Sequence, residues 1–267
     1  MSFIQADFYS RVLQMECQLN AVLPEARQGV GANAAVREGK YPVLFLLHGT
    51  SGDHSDWERW TSIERYAAHK GIAVVMCAGQ LSAYANMAYG ERFFDYVAYE
   101  VPQIAREFFS LSAAREDSFI AGLSMGGYGA LKVGLTDPER YGAVGCLSSF
   151  NQAYMPPLPD GPLKQIVADR LRLCWDAQDA SGIIGTESDL FVLARRALDA
   201  GKKLPQIFFA CGSDDHNFPP AQDTIRFFTE LEGDPFRFKY YRPRGRHDWE
   251  FWDEWVQKLL DWLPLQD

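Results

Sequence analysis

The chain has 267 residues, 47% of them hydrophobic and 23% charged, which suits a folded globular protein and excludes a disordered or fibrous one. Its 26 Lys and Arg stand against 35 Asp and Glu, a formal net charge of −9, so neither nucleic acid nor an anionic membrane surface is an expected partner. The longest apolar stretches, such as residues 72–78, are far shorter than the roughly 20 residues a membrane-spanning helix needs. The N-terminus Met-Ser-Phe-Ile-Gln-Ala-Asp shows no basic region followed by an apolar core. Five cysteines (17, 77, 146, 174 and 211) without paired short spacing read as reduced thiols, and a cytoplasmic location is expected.

In chain order, Met15, Cys17, Leu19, Ala21 and Leu23 alternate with Glu16, Gln18 and Asn20. Period two predicts a half-buried strand, antiparallel and near a sheet edge. Residues 25–41 are polar and read as a surface loop. Residues 43–47, 72–77, 118–121, 143–147 and 207–211 are short and apolar on both faces, and all but the first stop at Gly, Ser or Ala. Between them lie helical spacings such as Val97, Val101, Ile104, Ala105 and Phe108. Strands alternating with helices imply a mostly parallel central sheet covered on both faces. After Ser149 the rhythm breaks at Tyr154-Met-Pro-Pro-Leu-Pro-Asp-Gly-Pro162, which excludes a central strand or a helix interior. Residues 150–187 are too few for a core of their own and read as a short insertion over the active site, within a single domain spanning 1–267. Helices near 188–200 and 219–232, a last strand at 236–241 and a closing helix at about 249–262 complete the pattern. Trp175 and Phe218 are read as exposed aromatics that would suit a homo-oligomer interface.

The chemistry starts at Gly122-Leu-Ser124-Met-Gly126, a Gly-x-Ser-x-Gly between a predicted strand and a predicted helix. Alone the triplet is weak; in that context it is a sharp turn that exposes a nucleophilic serine, with glycines where neighbouring backbone must come close. The helix after it aims N–H groups at the place where an oxyanion would form. A serine hydroxyl also needs a base, and the base needs an orienting acid. Of the histidines 48, 54, 69, 216 and 247, only His247 follows the last strand, in the Ser, acid, His order of the α/β-hydrolases. Asp214 and Asp215 both end a buried strand and are both candidates for the acid. Asp214, Asp215 and His216 lack a second ligand cluster, so no metal is expected. The loop Leu46-Leu-His48-Gly49-Thr50 is placed to supply the Thr50 N–H as an oxyanion donor beside the Met125 N–H.

At these residues the chain resembles the esterase D-like branch of the α/β-hydrolases, which holds tributyrin, feruloyl and acetyl-xylan esterases and S-formylglutathione hydrolases. It is most similar to the small bacterial tributyrin esterases. The resemblance runs from Phe3 almost to the C-terminus. It rests on Leu46-Leu-His-Gly-Thr-Ser-Gly52, Asp56-Trp57 with Thr61-Ser-Ile-Glu-Arg-Tyr66, and Ser82-Ala-Tyr84-Ala-Asn86. Tyr89-Gly90, Glu100-Val-Pro102, Gly122-Leu-Ser-Met-Gly-Gly-Tyr-Gly-Ala130, Cys211-Gly-Ser-Asp-Asp215 and His247-Asp-Trp-Glu-Phe-Trp-Asp253 extend it. The resemblance implies an α/β-hydrolase fold and puts the acid at Asp215 and the oxyanion donors at Thr50 and Met125. One departure stands out: many relatives have Gly-Gly-His where this chain has Gly245-Arg246-His247.

The expected function is a cofactor-free serine carboxylesterase that hydrolyses short-chain acyl or hydroxycinnamoyl esters through an acyl-enzyme on Ser124. Competing readings are a thioesterase of the S-formylglutathione hydrolase type or an acyltransferase in the same site, and a hydrolase-like binding protein without turnover. Arg242, Arg244 and Arg246 alternate toward His247, and an extended backbone would put all three on one face as a positive rim for carboxylate-bearing esters.

Overall fold

In the computed structural model, which describes residues 1–25 and 39–265, the predicted strands gather into one sheet. Its strands are β1 (Ser2–Ser10), β2 (Met15–Leu23), β3 (Val43–Leu47), β4 (Ala73–Cys77), β5 (Ser118–Leu123), β6 (Ala143–Leu147), β7 (Gln206–Ala210) and β8 (Lys239–Tyr241). Their spatial order is β1-β2-β4-β3-β5-β6-β7-β8. β3 to β8 pair in parallel, while β2 pairs antiparallel with both β1 and β4. The antiparallel edge expected from the period-two pattern is therefore present. Residues 26–38 of the loop expected at 25–41 lie outside the described residues.

Alternation within the short apolar strands builds two cores. Val43, Phe45 and Leu47 join Ile120, Val144, Cys146, Ile207 and Phe209 on one face, while Leu44 and Leu46 join Phe119, Ala121, Phe208 and Ala210 on the other. The helices are α1 (Asp56–Trp60), α2 (Ile63–Lys70), α3 (Phe93–Asp95), α4 (Val101–Phe108), α5 (Met125–Thr136), α6 (Pro162–Trp175), α7 (Leu190–Asp199), α8 (Phe218–Thr229) and α9 (Trp249–Trp262). α4, α5, α7 and α8 contribute to the first core and α1, α2 and α9 to the second. Each large side chain sealed this way contributes about 1.5–3 kcal/mol. Such a double cover is what a parallel sheet demands, because both of its faces are apolar.

Three departures from the sequence reading have physical causes. β1 carries Phe3 and Tyr9 on its exposed side, at 42% and 56% exposure, so apolar residues on both faces hide its alternation. The helical stretch before α4 widens into a π-turn over Tyr96–Glu100. Pro102 has no N–H to offer the Ala98 carbonyl, which accepts instead from Arg140 Nη1 at 2.7 Å. The last strand is shorter than 236–241 because Asp234 and Arg237 both adopt positive φ, and the Asp234 carboxylate accepts from the Phe238 N–H.

The segment after β6 holds two short 3₁₀ turns, Gln152–Tyr154 and Ala180–Ile183, on either side of α6. Ala153, Leu171 and Ile183 form a small cluster of their own, and Cys174 reaches the main core. The Ala88 and Tyr89 N–H groups donate to the carbonyls of Cys174 and Leu173, fixing the end of α6. Trp175 is half-buried and its Nε1 donates to Ser188 Oγ at 2.8 Å; Phe218, 8% exposed, lies in the core. The expectation that these two aromatics are exposed is thus corrected: their rings stabilise the monomer's own interior.

The same Ser188 hydroxyl meets Lys132 Nζ at 2.9 Å, and the ammonium lies over the Phe94 ring. Lys132 is buried, which pushes its pKa down to about 8. A folded value below the unfolded one means the charged form is penalised in the native state. That penalty is fully present below about pH 8 and fades as pH rises toward the unfolded value near 10.5. The stability of the wild type relative to Lys132→Met is therefore expected to rise by about 2–4 kcal/mol between pH 7 and pH 10 in paired urea melts. A pH-independent difference would show that the ammonium is not penalised.

Candidate active site

All the residues singled out for chemistry sit where parallel strands end. Thr50 follows β3, Ser124 follows β5, Asp215 follows β7 and His247 follows β8. β3 and β5 are neighbours, and the chain leaves them for helices on opposite faces, α1 and α2 after β3 and α5 after β5, the arrangement at which open parallel sheets place their sites.

Ser124 occupies a strained backbone conformation, φ 51° and ψ −118°, between β5 and α5. The turn closes only because its flanking glycines have no side chain. A Cβ on Gly122 would lie 2.4 Å from the Gly126 carbonyl carbon, and one on Gly126 would lie 2.5 Å from the His48 carbonyl oxygen. Gly49 passes equally close, for its Cβ would lie 2.5 Å from Leu123 Cδ1 and 3.5 Å from Ser124 Cβ. The loop carrying Thr50 is thereby pressed against the serine turn, while Met125 opens α5 with a free helix-end N–H beside Ser124.

His247 lies between Ser124 and Asp215. Its Nε2 lies 3.0 Å from Ser124 Oγ, and its Nδ1 lies 3.0 Å from both carboxylate oxygens of Asp215. The ring stands edge-on to Trp252, at 4.9 Å and 88°. Asp215 is 3% exposed. Burial drives its pKa up, but hydrogen bonds from His247, the Asn217 N–H and Ser148 outweigh it, and the carboxyl stays below the ordinary range. Ser148 is itself held, accepting from Trp252 Nε1 at 3.0 Å. Asp214 points outward to Arg244, 3.4 Å away.

The loops that carry Asp215 and His247 are locked together through backbone. The Ser213 and Asp214 N–H groups donate to the carbonyls of Pro243 and Gly245, and a Cβ on Gly212 would lie 2.3 Å from the Gly245 oxygen. Gly245 in turn leaves room for the Phe251 ring. Arg246 is exposed and leaves that contact intact.

The remaining histidines divide clearly. His48 is buried, with Nδ1 2.7 Å from the Gly49 carbonyl and Nε2 accepting from the Gly79 N–H at 2.7 Å. Burial pulls its pKa down, so it stays neutral and pins the Thr50 loop. Tyr84 Oη donates to the His48 carbonyl, a role nothing in the sequence marks except the Ser82–Asn86 block. His69 is exposed on α2. His216 lies against His247, with ring centroids 4.3 Å apart. The donor atoms of Asp215, His216 and His247, rather than Asp214, Asp215 and His216, converge within 4.8 Å. A cation there would compete with the hydrogen bonds that already engage His247. Arg242 stacks over Phe218 at 4.2 Å, Arg244 pairs with Asp214, and all three alternating arginines are exposed.

Such an arrangement can deliver a deprotonated serine oxygen to a carbonyl and stabilise the resulting oxyanion with backbone N–H groups. The comparisons with known proteins agree with that chemistry. The Esterase family matches residues 10–264. An acetyl esterase from Caldicellulosiruptor saccharolyticus is 28% identical over 264 residues, covering 98% of each chain. Among solved structures, the fluorophosphonate-binding serine hydrolase FphF of Staphylococcus aureus superposes with a TM-score of 0.84 at 31% identity over 99% of both chains. The S-formylglutathione hydrolase FrmB of Staphylococcus aureus gives 0.80 at 32% identity, again over 99% of both. The chain therefore belongs to the Esterase family, in the esterase D-like branch of the α/β-hydrolase fold, and is a serine carboxylic ester hydrolase.

Proposed function

We propose that this enzyme hydrolyses small carboxylic esters with short acyl groups through an acyl-enzyme on Ser124. The observation that carries the reading is the continuous relay from Ser124 Oγ through His247 to Asp215, 3.0 Å at each step and assembled from three separate strand ends. His247 Nε2 takes the Ser124 proton as Oγ attacks the carbonyl, and returns it to the departing alcohol. Asp215 holds Nδ1 protonated, so that Nε2 is the free base. The Thr50 and Met125 N–H groups donate to the oxyanion, each worth about 3 kcal/mol by precedent in other serine hydrolases. Water then repeats the sequence on the acyl-enzyme.

The segment 150–187 forms one side of the active-site mouth within a single structural unit, an idea supported by the donation of Arg170 Nη1 to Thr50 Oγ1. Five free cysteines, four of them buried, fit a reducing cytoplasm. No helix among the described residues is long and apolar enough to cross a membrane. The test is a panel of p-nitrophenyl esters from acetate to octanoate, with methyl ferulate and tributyrin, read as kcat/KM. A maximum at two to four acyl carbons is expected. Preference for octanoate would reject the short-acyl reading. The likeness to an S-formylglutathione hydrolase favours a second reading, thioester hydrolysis in the same site. Higher kcat/KM for S-formylglutathione than for phenyl acetate would support it.

A further inference from the structure

Among the described residues, the partly buried arginines donate to main-chain carbonyls, with one exception, although Arg115 leaves its Nε without a partner. Arg106 donates to the Ser112 and Pro102 carbonyls and to Ser118 Oγ; Arg115 donates to the Leu204 carbonyl; Arg140 donates to Asp137 and the Ala98 carbonyl. Arg170, half-buried on α6, has a single hydrogen bond among the described residues, from Nη1 to the neutral Thr50 hydroxyl at 3.3 Å. It has no ion pair with any described carboxylate. A guanidinium has five N–H donors and cannot shed its charge, so most of its hydrogen-bonding capacity is left without a protein acceptor. Burial already works against the cation, and Cys174 alone opposes that effect. The arginine rim at 242, 244 and 246 differs, being exposed to water throughout.

The position of Arg170 is the second observation. Its contact is with the side chain of Thr50, the residue proposed above to donate its N–H to the oxyanion, so the guanidinium lies one side chain away from that proposed position. It also reaches there from α6, whose end is fixed by the Ala88 and Tyr89 hydrogen bonds. A group fixed at that place meets substrate atoms a few bonds from the scissile carbonyl.

We propose that Arg170 is a specificity-determining residue that receives a carboxylate carried by the substrate, so that half-esters of dicarboxylic acids, or esters of carboxylate-bearing alcohols, are preferred over neutral esters of equal size. The inference rests on the assignment of Ser124 and Thr50 to the hydrolytic site. A carboxylate matches the planar fork of the guanidinium and can accept two of its N–H groups at once. The contact would be made in the bound ester as well as in the transition state, so its main effect falls on KM.

The experiment compares three substrates in wild type, Arg170→Gln and Arg170→Lys: p-nitrophenyl butyrate, p-nitrophenyl hemiglutarate and 4-acetoxybenzoate. The hemiglutarate carries its carboxylate on the acyl side and the acetoxybenzoate on the leaving group, so the arm that responds identifies the side. Arg170→Gln is expected to raise KM about 10- to 100-fold for an anionic ester, the usual span for losing a charge-assisted pair, and to leave the butyrate within about two-fold. Arg170→Lys should restore part of the loss. Parallel changes for all three esters, or no change for either anionic one, would overturn the proposal. A measurement on wild type alone guards against a variant that does not fold. Free glutarate should inhibit butyrate hydrolysis competitively, less so at high salt, and glutaramide should not; equal inhibition by both would also overturn it. Loss of all hydrolysis in Ser124→Ala keeps the underlying site assignment separate, because its failure there would be seen with the butyrate as well.

Discussion

Ser124→Ala is expected to lower kcat by about five to six orders of magnitude, the scale seen when a serine hydrolase loses its nucleophile. The substitution removes one half-exposed hydroxyl whose hydrogen-bond partner is His247. It leaves the positive-φ turn as strained as before, since alanine has the same Cβ as serine. Stability should therefore stay within about 1 kcal/mol of wild type, with unchanged Gly122 and Gly126 contacts. Stopped-flow hydrolysis of p-nitrophenyl acetate gives the decisive reading. Wild type should release up to one p-nitrophenolate per chain in a burst and the variant none. More than a few per cent of residual turnover would mean that another group attacks the carbonyl.

Asp215→Asn should cost about 10⁴ in kcat, while Asp214→Asn should change it less than about two-fold. An amide at 215 can donate to His247 Nδ1 and so favours the tautomer whose Nε2 carries the proton, leaving Ser124 without a base. Asp214 is exposed, and among the described residues its side chain pairs only with an exposed Arg244 and the neighbouring Ser213, contacts that contribute little to anything. The acid also has a pH signature. Its folded pKa lies below the ordinary carboxylate value. Its contribution to stability is thus fully present above the unfolded value and is lost as pH falls through the lower folded one. The acid limb of wild-type unfolding should flatten in Asp215→Asn. If Asp214→Asn proves the more damaging change, the acid is one residue away from where the hydrogen bonds indicate.

The sheet and the serine turn were legible because they depend on local pattern. Short strands apolar on both faces must lie in a covered parallel sheet, and Gly122 and Gly126 flank Ser124 at the spacing a close backbone approach requires. The choice between Asp214 and Asp215 was not legible from local pattern. Adjacent residues differ only in direction, and direction is fixed by the Ser213 and Asp214 hydrogen bonds to a loop some thirty residues later. The resemblance to known esterases indicated Asp215, since it carries the outcome of that long-range pairing. Ser148, Trp252 and Arg170 reach the candidate site through contacts made only after folding, and no short motif announces them. Phe218 was misread for a related reason. At the first position of a helix after two polar residues it looks exposed, and only the packing of α8 on the sheet covers it.

The lock between the acid and histidine loops has a consequence for how the enzyme fails on heating. β8, which delivers His247, is three residues long, forms the outer border of the sheet and among the described residues pairs with β7 alone. Border strands open at lower free-energy cost than central ones, whereas β3 and β5, which carry the oxyanion loop and the serine, are enclosed on both sides. Fraying at β8 would withdraw His247, the proposed proton acceptor, while most of the molecule keeps its shape. Warming should then abolish turnover several degrees below the far-ultraviolet melting transition, and cooling from that interval should restore it in full. An engineered brace across Tyr241 and Ala210, which pair between β7 and β8, would close the gap between the two temperatures without touching the reacting atoms.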